Sequence, residues 1–121
     1  AILSYGARLA EALKAAKDLE AKGKTVTVAD ARFAKPLDEA LIDTLVENHD
    51  TVITIEEGSQ CGFGAMVLEY LAKAGHLDGT LKVRTMSLPD VFQDHDKPEK
   101  QYAEACLQAD DIVKMVRGLA N

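Results

Sequence analysis

The sequence predicts an α/β domain, a parallel sheet of four strands with helices on both faces. Short β-branched apolar runs alternate with segments of helical period along the 121 residues, the pattern of successive βαβ units. Most of the apolar runs are followed by polar segments bearing glycine or proline, as expected where strands feed helices at one rim. The chain has no Trp and only three Tyr and three Phe, so its core is built from Leu, Val, Ile and Ala.

Ala1–Tyr5 is a short apolar strand ending at Gly6. Ala7–Lys22 has helical period, with Leu9, Ala12, Leu13, Ala16 and Leu19 expected on one face, and Gly23 ends it. Thr25–Ala29 is strand-like. Leu37–Asn48 is a second helix with Leu41, Ile42 and Leu45 inward, and Asp38 is its candidate N-cap. Thr51–Ile55 is a third strand, and Glu56–Gly62 a polar turn. Phe63–Ala74 is a helix with Met66, Val67, Tyr70 and Leu71 on its apolar side, closed by Gly75. In Leu81–Leu88, Lys82 and Arg84 alternate with Leu81 and Val83, which predicts an edge strand with one wet face. Pro89–Pro98 is a loop, and Glu99–Cys106 and Asp110–Leu119 are closing helices.

Residues 1–121 are read as one domain, cut from a longer polypeptide because an apolar strand begins at its first residues. The net charge of −6 is dispersed and argues against nucleic acid or an anionic membrane as partner. No apolar run is long enough for a transmembrane helix. Cys61 and Cys106 lie in different elements with no C-x-x-C, so both are read as free thiols of a reducing, cytoplasmic setting.

The carboxyl ends of parallel strands are the default binding edge, here Gly6, Asp30–Arg32, Glu56–Gly62 and Pro89-Asp90. No complete chemistry is visible there. Gly62-Phe63-Gly64 lacks the third glycine of a dinucleotide loop. An acidic pair is missing after the first strand, and adjacent Glu56 and Glu57 point to opposite faces, one of them pairing with a basic group such as Arg32 or a neighbour's cation. His49, His76 and His95 are dispersed, no G-x-S-x-G exists, and Cys61 reads as a bystander. No catalytic, cofactor or metal residue is therefore assigned. A charged rim without self-sufficient chemistry suggests an interface with another domain.

Asp30-Ala31-Arg32-Phe33-Ala34-Lys35-Pro36-Leu37-Asp38, Ile55-Glu56-Glu57-Gly58-Ser59 with Gly62-Phe63-Gly64, and Leu88-Pro89-Asp90-Val91-Phe92-Gln93-Asp94-His95 closely resemble the C-terminal domain of 1-deoxy-D-xylulose-5-phosphate synthases, of the transketolase C-terminal type. Gln101-Tyr102-Ala103-Glu104-Ala105 continues the match. The resemblance implies a three-layer α/β/α fold with strand order 2-1-3-4, and a further antiparallel strand upstream. It implies a parent enzyme, a homodimer, that condenses pyruvate with glyceraldehyde 3-phosphate and releases CO2, feeding isoprenoid and thiamine biosynthesis. Thiamine diphosphate and Mg2+ would be held by a Gly-Asp-Gly motif in another domain, a motif this chain lacks. The expected role is then structural, in contact with the other domains. Arg32, Glu57 and His95 are the interface candidates, and Pro36, Gly62, Gly64 and Pro89 shape the loops. The rival reading is a free-standing anion-binding or regulatory module. Cys61 and Cys106 each stand where the family usually has Gly, and Val91 where an Arg is common.

Overall fold

The apolar run at the start of the chain forms strand β1 (Ile2–Tyr5) in the interior of the sheet. Ile2 packs into the core on one side and Leu3 into the core on the other, as expected of a parallel strand covered on both faces. The computed structural model describes residues 1–119. The elements that follow are α1 (Leu9–Glu20), β2 (Val28–Asp30), α2 (Glu39–Asn48), β3 (Thr51–Glu56), α3 (Phe63–Lys73), β4 (Lys82–Met86), α4 (Pro98–Glu104) and α5 (Ala109–Leu119).

All strand pairs are parallel and the order is β2-β1-β3-β4. Ser4 lies opposite both Asp30 and Ile55, and Ile55 opposite Met86, so the four carboxyl ends finish at one level. Helices α1 and α5 cover one face through Ala12, Ala15, Leu19 and Ile112. Helices α2 and α3 cover the other through Ile42, Leu45, Val67 and Leu71. The expected three-layer architecture and strand order are those observed.

Local signals fix the helix ends. The Asp38 carboxylate accepts the Leu41 N–H at 3.0 Å, as its N-cap position predicts. Gly23 and Gly75 end α1 and α3 with φ of +80° and +79°, where a side chain would be strained. Two long-range contacts tie the helices together. The Glu11 carboxylate accepts the Ala109 N–H at 2.9 Å, joining α1 to the start of α5. Asp43 on α2 accepts from Tyr70 Oη at 2.7 Å and from His76 Nε2 at 2.8 Å, joining α2 to α3 and the turn after it.

Several boundaries differ from those the sequence suggests. β2 is Val28–Asp30 rather than Thr25–Ala29, because β1 pairs with it through Ile2, Leu3 and Ser4 only. β4 stops at Met86, short of Leu88, whose N–H turns to the Gly58 carbonyl at 2.9 Å. The buried face of α1 is rotated from the expected one. Ala15 is buried while Leu13 is 49% exposed, since α5 packs closely against small residues. Met66 is only partly buried, and the α3 core face is Phe63, Gly64, Val67 and Leu71.

Candidate functional site

The chain leaves β1 for the edge strand β2 and then crosses back to β3, so the crevice between β1 and β3 is the topological switch point. Adjacent Glu56 and Glu57 emerge there from β3 and turn opposite ways, as strand geometry requires.

Glu56 turns inward and is 4% exposed. Its Oε1 accepts the Phe63 N–H at 3.0 Å and its Oε2 the Gly64 N–H at 2.6 Å. A full carboxylate thus satisfies the first donors of α3 and meets the positive end of the helix dipole. Glycines make the room. A Cβ at Gly58 would lie 2.5 Å from Glu56 Oε1, and one at Gly62 would overlap the same oxygen. Gly64 lets α3 lie close on the sheet, since a Cβ there would stand 2.8 Å from Thr54 Oγ1 and 2.9 Å from Thr85 Cγ2.

Glu57 turns outward and pairs with Arg8, whose Nε lies 3.0 Å from its Oε1. The Arg8 guanidinium also sits 3.8 Å above the centre of the Tyr102 ring. The Tyr102 phenol is pushed above its usual range, first by hydrogen bonding to the Glu57 carboxylate and then by burial. Arg8, Glu57 and Tyr102 thereby join the turns after β1 and β3 to α4. Beside them Tyr5 stacks on Phe63 with ring centres 5.0 Å apart.

The expected partner of the acidic pair is therefore replaced. Arg32 binds neither glutamate; its side chain is exposed and makes no ion pair among the described residues. Arg8 reaches Glu57 because it lies in the turn after the central strand, whereas Arg32 follows an edge strand. The Arg32 backbone has φ of 56°, and its N–H donates to Asp30 Oδ1 at 3.1 Å. Pro36 follows a cis peptide bond. His95 is exposed in the loop after β4. Arg32, Glu57 and His95 are thus all at the carboxyl rim; Arg32 and Glu57 line one open cavity there with Tyr5, Gly6 and Asp30, without an ion pair between them, and His95 lies in the loop after β4. Sequence reasoning passed over Arg8 and Tyr102, though the turn position of Arg8 was a usable signal. Phe33, Val91 and Phe92 read from the sequence only as parts of the resembling motifs, Val91 as a departure from a common Arg, and the structure shows them 67%, 66% and 107% exposed.

Cys61 and Cys106 are both free and exposed, and both have positive φ, 67° and 57°. The glycine-like backbone is kept, and the side chain is carried at a cost of about 1–2 kcal/mol per residue. Both line a groove of about 470 Å³ beside β4, with Met86, Leu88 and Pro89. Among the described residues no group of three or more His, Cys, Asp or Glu is placed to hold a metal ion. The two rim carboxylates closest to the switch point, Glu56 and Glu57, already have partners within the chain.

The C-terminal domain family of transketolase matches residues 1–112. The chain belongs to that family. Its relatives include the 1-deoxy-D-xylulose-5-phosphate synthase of Rhodobacter capsulatus, 59% identical over 112 residues. That match covers 93% of this chain and 18% of the relative. The 1-deoxy-D-xylulose-5-phosphate synthase 2 of Jannaschia sp. (strain CCS1) is 57% identical over 114 residues, covering 94% of this chain and 18% of that protein. The chain therefore spans about a fifth of these relatives. Among solved structures, a split gene transketolase described as an inactive beta4 tetramer superposes with a TM-score of 0.85 and 31% identity. That superposition covers 97% of this chain and 37% of the other. No described helix is long and apolar enough to cross a membrane.

Proposed function

We propose that residues 1–121 form one structural domain, the C-terminal interface domain of a thiamine-diphosphate-dependent transferase. The parent reaction is the condensation of pyruvate with glyceraldehyde 3-phosphate to 1-deoxy-D-xylulose 5-phosphate with loss of CO2. The observation that carries this reading is the 59% identity to a synthase of that name across 93% of the chain. The parent is a cytoplasmic homodimer.

The coenzyme and its Mg2+ belong to other domains. The residues here do not fit them: Glu56 is consumed by the start of α3 and Glu57 by Arg8, and no diphosphate-binding Gly-Asp-Gly is present. In this reading the domain contributes no reacting group. It holds the catalytic domains and the dimer together through its carboxyl rim, with Arg32, Glu57 and His95 as polar contacts and Pro36, Gly62 and Pro89 setting the loops. Gly64, expected to shape a loop, lies within α3 and instead lets that helix approach the sheet.

The test is a graft. The matched segment of the Rhodobacter capsulatus synthase is replaced by this chain, and glyceraldehyde-3-phosphate-dependent CO2 release from pyruvate is measured. Activity within tenfold of the parental enzyme is expected. A soluble, folded graft without activity would reject the reading.

A further inference from the structure

Two loops of the carboxyl rim display aromatic rings to water while their backbones are held in shape. Phe33 is 67% exposed and follows Arg32, a non-glycine residue at φ 56°. That turn is fixed by the Arg32 N–H to Asp30 Oδ1 at 3.1 Å and by the Phe33 N–H to the Ala31 carbonyl at 2.6 Å. Phe92 is more exposed still, at 107%, with Val91 beside it at 66%. Its loop is braced against α4 from both directions. Gln93 Nε2 donates to the Gln101 carbonyl at 3.0 Å, and Gln101 Nε2 donates to the Asp94 carbonyl at 3.0 Å. The Val91 N–H is bound to the Pro89 carbonyl at 2.9 Å.

A phenylalanine that merely lacks a place in the core does not call for a braced loop. Ordering the backbone around an exposed ring is what a preorganised contact needs, because less freedom is then lost on association. Backbone strain of the kind seen at Arg32 persists where the surroundings enforce it, most often at binding sites. Both rings stand on the one rim whose innermost carboxylates, Glu56 and Glu57, are already paired, while Arg32 and His95 stay exposed around them.

We infer that Phe33 and Phe92 are the anchors by which this domain docks onto the catalytic portion of its parent polypeptide, each ring entering an apolar pocket on that portion. This rests on the function proposed above and moves the main binding contribution from the charges to the rings. The occupant follows from length: the relatives carry about four-fifths of their residues outside the matched segment. That remainder, joined covalently to the domain, is always at hand to cover the rim. Buried aromatic anchors ringed by polar residues are the usual centre of such contacts, and Arg32 and His95 supply the polar surround.

The experiment uses the Rhodobacter capsulatus graft with intact loops, with Phe33→Ser and Phe92→Ser together, and with Leu13→Ser, an exposed apolar residue on α1 away from the rim. The isolated chain carrying the same substitutions is melted in parallel. The expected result is a graft whose CO2 release falls at least tenfold with the Phe pair and is unchanged by Leu13→Ser. The melting temperature of the isolated chain should move by less than about 2 °C. Equal activity of the Phe-pair graft and the intact graft would overturn the inference and leave the proposed function standing. An intact graft that is folded and inactive would overturn both. Sedimentation of the isolated chain supplies the remaining arm. Self-association abolished by the Phe pair, with no effect in the graft, would assign the rings to a second copy of the chain and overturn the inference.

Discussion

Replacing Glu56 by Ala should be among the most damaging single changes outside the aliphatic core. The carboxylate is 4% exposed and receives two N–H groups at the start of α3, at 3.0 and 2.6 Å. A hydrogen bond to a charged group contributes about 1.5–3 kcal/mol, and unpaired buried donors cost a similar amount. The two are not additive, so about 3–5 kcal/mol is expected for Glu56→Ala. For a domain of this size that is a fall in Tm on the order of 10–20 °C. Glu56→Gln should cost less, since one oxygen is kept, but its amide group would face a backbone N–H. The glycines make the test sharper. Gly62→Ala pushes a Cβ into Glu56 Oε1 and to 3.1 Å from the Ser59 carbonyl, an overpacking of about 1–3 kcal/mol. With the carboxylate already removed, most of that clash is gone. The double variant should therefore be more stable than the sum of the singles by about 1 kcal/mol or more. Urea unfolding of the four proteins gives the cycle. Additivity within about 0.3 kcal/mol, or a cost for Glu56→Ala below about 1 kcal/mol, would refute the capping role.

Cys61→Gly and Cys106→Gly should each raise stability by up to about 1 kcal/mol, because both residues occupy left-handed backbone. A higher urea midpoint at unchanged slope checks this, and a lower one contradicts it. Arg8→Ala should cost about 1–2 kcal/mol through loss of the partly exposed Glu57 pair and the Tyr102 contact, whereas Arg32→Ala in the isolated chain should stay within about 0.5 kcal/mol. Thermal melts that reverse this order would count against the observed pairing. The Asp43 carboxyl is held below its usual range, chiefly by the Tyr70 hydroxyl and then by His76. Its contribution is thus full above the ordinary carboxylate value of 3.8 and is lost as pH falls through the lower folded value. Tyr70 is pushed up from 10.0 to about 12, chiefly by its hydrogen bond to Asp43, so its contribution is full below pH 10 and is lost as pH rises through about 12. Asp43→Asn should flatten both limbs of a plot of Tm against pH, and unchanged limbs would show that the cluster does not govern them.

The fold was legible because each β-branched run and each helical period agreed with the same topology. Gly23, Asp38 and Gly75 marked helix ends through local chemistry that needs no tertiary knowledge. What the sequence concealed depends on partners distant along the chain. Leu13 reads as inward by period, yet α5 packs against Ala12 and Ala15 and turns Leu13 out. The Glu11 carboxylate receives the Ala109 N–H, 98 positions away, a partner that no local pattern around Glu11 announces. At the rim, the opposite facing of Glu56 and Glu57 follows from strand geometry alone. Which cation meets Glu57 depends on strand order, and that selects Arg8 over Arg32. The exposure of Phe33 and Phe92 had no sequence signal, since an aromatic residue in a loop is as compatible with folding back onto the core as with standing clear of it.

The division of labour proposed for this domain, contact without coenzyme, is tested most directly by calorimetric titration of the isolated chain with thiamine diphosphate and Mg2+. The predicted result is heat no greater than dilution at every concentration reached. Saturable binding with a dissociation constant on the order of micromolar, about −8 kcal/mol, would contradict it.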